Sequence, residues 1–207
     1  MNAEPVELRI LGCLIEKQHT TPDAYPLSLN ALRLACNQST NRDPVVDFEE
    51  STIREALERL SRRRWVRLAS GAGSRATKYR HLLDEALGLS GAEISLLAVL
   101  MLRGPQTPGE LRARTERLHR FESHDELRQT LEHLAARGLV AGVGRRPGQK
   151  EERYAHLLSD GGNDAAAAPA PLSLEARVGR LEAQVAALQE AFQDGVHDAD
   201  PAVKPGV

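Results

Sequence analysis

Aromatic residues make up only 3% of this 207-residue sequence, cysteine occurs twice, and no apolar run approaches bilayer-spanning length. With so few rings, a core drawn from the 41% hydrophobic residues must be built mainly of Leu, Ala, Val and Ile. Leu and Ala favour helix, so a mostly helical protein is expected. Cys13 and Cys36 each sit on an apolar helical pattern and read as buried thiols rather than as a disulfide framework. The opening MNAEPVELRI lacks the basic start and apolar stretch of a signal peptide, which makes the cytoplasm the expected location and a membrane an unexpected partner. Charge of one sign is also missing. With 27 Lys/Arg against 29 Asp/Glu, the net charge of −2 supplies no global attraction to nucleic acid.

The charge is unevenly spread. Residues 1–158 hold 24 Lys/Arg and 21 Asp/Glu, whereas residues 159–207 hold 3 and 8, so a slightly basic body precedes an acidic tail. Within that body the sequence repeats itself. Tyr79-Arg80-His81-Leu82-Leu83 recurs as Tyr154-Ala155-His156-Leu157-Leu158. Leu57, Leu60 and Val66 match Leu131, Leu134 and Val140, and Glu7, Leu11 and Leu14 match Glu93, Leu97 and Leu100. The first and third helices stand further apart in copy one.

Each copy has the same expected order. Helix one is apolar on one face, through Leu8, Leu11, Leu14 and Ile15 or Leu96, Leu97, Leu100 and Met101. Helix two follows a capping signal: Ser28 in copy one, and Thr107 with Pro108 and Glu110 in copy two. Helix three starts near Ser51 or Ser123 and carries the stripes Ile53, Leu57, Leu60 and Leu127, Leu131, Leu134. The period then changes to that of strands at Trp65–Leu68 and Leu139–Val143. Each is followed by a Gly- and Arg-rich turn and by the Tyr-x-His-Leu-Leu element. Three helices and a hairpin make the winged-helix plan, a helix-turn-helix whose third helix usually faces DNA.

The strings Ala35-Cys36-Asn37-Gln38, Thr40-Asn41-Arg42-Asp43-Pro44-Val45 and Lys78-Tyr79-Arg80-His81 carry a family resemblance. So do the stretch Leu102 to Arg112 and Arg146-Pro147-Gly148-Gln149 in copy two. The sequence resembles the YceH-like family of bacterial proteins over roughly residues 5–160. The resemblance implies tandem winged-helix units and a final helix. It implies no catalytic or ligand residues.

The expected organisation is therefore mainly α with small β-wings: winged-helix domains at 1–84 and 85–159, a flexible linker at 160–172, an amphipathic helix at 173–194 and a disordered tail at 195–207. From Thr52 to Arg80 there are nine basic and two acidic residues, a cluster able to neutralise phosphates. The candidate DNA contacts are Arg54, Arg59, Arg62, Arg63, Arg75 and Lys78, with double-stranded DNA as the partner. Copy two has six basic and five acidic residues over Ser123–Arg153 and is the weaker candidate. On a helical wheel, Glu55, Glu58 and Arg62 point away from the helix-three core stripe of copy one, as do Asp125, Gln129 and Glu132 in copy two. Such faces suit backbone contact better than base readout.

Asn37–Asp43 reads as a turn held by its own side chains. His81 and His156 occupy equivalent positions and read as packed strand-end residues, since neither has neighbours at metal-ligand spacing. No nucleophile, metal or cofactor constellation emerges, so the expected protein is not an enzyme. In the tail, Leu174, Val178, Leu181, Val185 and Leu188 form a heptad pattern with Val at a and Leu at d, which favours a parallel homodimer over the alternative of an amphipathic helix folding back on its own winged units. The competing reading is a protein-interaction scaffold in which winged-helix units act as docking modules.

Overall fold

A computed structural model describes residues 2–69, 77–144 and 151–159. Arg75, the linker 160–172, the helix 173–194 with its five heptad residues, and the tail 195–207 lie outside the described residues. The described chain is mainly helical with two small antiparallel sheets.

Copy one comprises α1 (Pro5–Thr20), a 3-10 turn (Pro22–Ala24), β1 (Leu27–Ser28), α2 (Leu29–Cys36), α3 (Glu50–Arg62), β2 (Val66–Leu68) and β3 (Lys78–His81). A short helix α4 (Leu83–Leu87) leads to copy two, with α5 (Gly91–Arg103), α6 (Pro108–Thr115), α7 (His124–Ala136), β4 (Val140–Gly142) and β5 (Tyr154–His156). The caps lie where the polar residues predict. Ser28 accepts from Ala31 N–H, Thr107 from Glu110 N–H and Ser123 from Glu126 N–H, at 3.2, 3.2 and 3.0 Å. In copy one, helix three begins before Ser51, with Glu49 as the cap residue.

The two copies lie in one compact unit and share one core. The expectation that helix one is apolar on one face understates its burial. Glu7 to Ile15 of α1 and Glu93 to Leu102 of α5 are buried on every side. The reason is that α1 and α5 pack against each other as well as against their own copies. Gly12 marks the close approach, since a Cβ there would lie 2.8 Å from Leu102 Cγ. The ridges Ile53, Leu57, Leu60 and Leu127, Leu131, Leu134 are all buried.

A second repeat is made of ions. The carboxylate of Glu7 holds the start of α1 by accepting from Glu4 N–H at 2.9 Å, and Glu93 does the same for α5 through Ser90 N–H at 2.7 Å. Glu7 also meets Arg59 at 3.0 Å and Arg63 at 3.5 Å. Glu93 meets His133 at 3.0 Å and Arg137 at 3.2 Å. Arg59 on α3 and Arg63 just beyond it occupy the positions of His133 on α7 and Arg137 just beyond it. Each buried carboxylate thus ties helix one to the end of helix three. Burial raises the Glu93 carboxyl, but the bonds from Ser90 and the charges of Arg137 and His133 outweigh it and hold the group below its ordinary value.

Candidate nucleic-acid interface

The ion latch sorts the expected DNA contacts. Arg59 is bound to Glu4 at 2.6 Å as well as to Glu7. Arg63 stacks over Trp65 with its guanidinium carbon 5.6 Å from the ring centre. Both are in the fold's internal latch. Arg54 pairs with Glu50 at 2.6 Å on the exposed side of α3. Arg62 is exposed and forms no ion pair among the described residues.

The hairpin adds cations that periodicity alone does not place. Three strands pair antiparallel in the order β1-β3-β2. Val66 opposes His81 and Leu68 opposes Tyr79, so these residues share one face with Leu27. Arg67 opposes Arg80 on the other face, beside Lys78 and Ser28. Arg80 also reaches Glu85 at 2.9 Å, whereas Arg67 has no ion pair among the described residues. Two like charges directly opposite on a ladder cost about 0.2–1 kcal/mol.

Arg64, in the turn between α3 and β2, is exposed with φ at +59°, a left-handed conformation that costs a non-glycine residue about 1 kcal/mol or more. The equivalent residue in copy two is Gly138, at φ +66°. The equivalents of Arg67 and Arg80 are Ala141 and Ala155, themselves a cross-strand pair. Lys78 corresponds to Arg153, which is buried and paired to Glu110 at 3.5 Å. Copy two therefore has the same backbone without either local cost. Replacing Arg64 with glycine should raise stability by about 0.5–1 kcal/mol, read from urea unfolding. A loss of stability would show that the Arg64 side chain supports the fold.

The family profile described as "Protein of unknown function, DUF480" matches residues 3–149. The chain belongs to this family. A UPF0502 protein of Serratia proteamaculans (strain 568) is 45% identical over 207 aligned residues, covering 93% of this chain and 96% of the relative. One from Opitutus terrae is 47% identical over 188 residues, covering 89% and 82%. One from Xanthomonas campestris pv. campestris (strain B100) is 46% identical over 202 residues, covering 91% and 90%. The YceH-like resemblance agrees with this membership.

The polar run Asn37–Asp43 is a strap across the fold. Asn37 bonds both ways with Phe48, through Nδ2 to its carbonyl at 3.0 Å and from its N–H at 2.9 Å. Asp43 N–H donates to Leu102 O at 2.8 Å, and Arg103 contacts Asn41. Arg42 turns inward and is buried. Among the described residues no group of three His, Cys, Asp or Glu side chains is set to hold a metal, and no helix is long and apolar enough to cross a membrane.

Proposed function

We propose that each copy is a winged-helix unit and that the protein is a non-enzymatic DNA-binding protein. Copy one grips the phosphate backbone of duplex DNA, and the heptad helix pairs two chains into a homodimer. The cations assigned to phosphate are Arg62, Arg64, Arg67, Lys78 and Arg80, joined by Arg75, which lies in sequence between β2 and β3. One observation carries this reading: copy one keeps a strained arginine and an opposed arginine pair where copy two has Gly138, Ala141 and Ala155. Local costs that one copy accepts and its twin avoids fit a charge that a ligand neutralises.

The outer faces of the third helices do not suit base reading. Glu55 and Glu58 are exposed on α3, and Asp125 and Glu132 on α7. Binding is therefore sequence-tolerant and dominated by counterion release. Those same acidic faces support a second reading, in which the two units dock a basic protein surface.

Fluorescence anisotropy with a random-sequence duplex, repeated across salt concentrations, separates the two. Six phosphate contacts per chain give a log–log slope of about −5 for each bound chain. The double variant Arg67→Ala/Arg80→Ala should lower the magnitude of that slope by about two and weaken binding at least tenfold at low salt. Absence of binding at low salt, or an unchanged slope in the variant, would favour the docking reading.

A further inference from the structure

Among the described residues, Arg80 is the single cation assigned to phosphate that the fold itself pairs with an anion. Its Nη2 donates to Glu85 Oε1 at 2.9 Å. Glu85 lies on α4, and that helix is held at both ends. Leu82 N–H, just before it, donates to Trp65 O at 2.7 Å, and Leu83 in its first turn is fully buried. At the other end the Leu87 and Gly88 carbonyls accept from Arg137 of copy two. The Glu85 carboxylate is therefore presented to β3 from an anchored backbone, while its own side chain stands largely in solvent.

The pair also offsets a local repulsion. Arg80 stands directly opposite Arg67 across the ladder, and like charges so placed destabilise a sheet. A carboxylate on Arg80 reduces that cost while no ligand is bound. A phosphate oxygen on the same guanidinium does the same, because both anions accept charge-assisted bonds from the one fork of N–H donors. Glu85 and a DNA phosphate are thus alternative partners for Arg80.

Resting on the DNA-binding reading above, we propose that Glu85 is a built-in competitor for phosphate, occupying Arg80 in the free protein and giving way to the DNA backbone on binding. The carboxylate then has two effects of opposite sign: it stabilises the free fold and it lowers the affinity for DNA. A role in the fold alone would have only the first. Both effects are modest, since a largely exposed ion pair is weak, and a weak hold is what allows a phosphate to displace it.

The test compares the full-length protein with Glu85→Gln, which keeps the size of the side chain and removes its charge. Anisotropy with a random-sequence duplex at low salt reads affinity, and urea unfolding reads stability. Glu85→Gln should bind about two- to fivefold more tightly while its urea midpoint falls. Glu55→Gln makes the same charge change on the exposed side of α3, where Glu55 forms no ion pair among the described residues, and should gain less. In an Arg80→Ala background the gain from Glu85→Gln should shrink to that of Glu55→Gln. Wild-type binding that Glu85→Gln leaves unchanged or weakens overturns this proposal and spares the DNA-binding reading. A gain that is the same with and without Arg80 also overturns it, since Glu85 would then act only as a distant charge. Absence of binding by both proteins overturns the DNA-binding reading and this proposal together.

Discussion

Replacing Arg42 with alanine is expected to destabilise the fold by about 3–5 kcal/mol, the cost of breaking a buried ion pair from one side. The Arg42 side chain has no exposed surface, and Glu16 across the pair is 15% exposed. The guanidinium also accounts for bonds to Ala35 O, Asn41 O and Gln38 Oε1, at 3.1, 2.9 and 3.0 Å. The Ala35 carbonyl stands at the C-terminus of α2, where a cation both satisfies an open acceptor and interacts favourably with the helix dipole. Alanine would leave these acceptors and the Glu16 charge without their partner. Urea unfolding at neutral pH measures the effect. A loss below about 1 kcal/mol, the size of a surface pair, would mean that water reaches the strap and replaces the guanidinium.

Acidification is expected to act through the equivalent histidines. Burial pushes His81 down to about 4 from an ordinary 6.5; Asp84 opposes the change, while Arg80 and His19 add to it. Burial alone brings His156 to about 4. Unfolded, each ring takes a proton around pH 6.5; folded, each stays neutral until about pH 4. Their stabilising contribution is therefore complete above the unfolded value and is lost as pH falls through this window. At one pKa unit per 1.36 kcal/mol, the full displacement is worth about 3 kcal/mol for each ring, and about half of that is lost by about pH 5. Both His81 nitrogens lack a hydrogen-bond partner, so removing that ring deletes no hydrogen bond. The double variant His81→Leu/His156→Leu should show a much flatter fall in urea midpoint between neutral pH and about pH 5. An acid limb as steep as that of the wild-type chain would place the proton-sensitive groups elsewhere.

The leucine ridges, the polar caps and the hairpins were legible because each depends on residues close in sequence. Ile53, Leu57 and Leu60 face the core for the same reason that Leu127, Leu131 and Leu134 do. The ion latch was not legible. Glu7 and Arg59 are 52 residues apart, and copy two makes the same tie with His133 in place of an arginine. Arg59 and Arg63 therefore read as part of a surface cluster although the fold engages them. The two-residue β1 and the five-residue α4 are too short to leave a periodic trace. The opposition of Arg67 and Arg80 required the strand register. The equivalence of Arg64 and Gly138 was present in the repeat alignment, and an arginine aligned with a glycine just after a helix is a signal worth reading.

In the proposed function, the hairpin sheet and the end of α3 in copy one form the surface that meets phosphate. Mapping backbone amide shifts of the full-length protein during titration with a random-sequence duplex tests it most directly. Shifts are expected at Arg62 to Leu68 and Lys78 to His81, with β4 and β5 unmoved. Shifts centred on Arg54, Glu55 and Glu58, or on copy two, would contradict it, as would a titration that moves nothing.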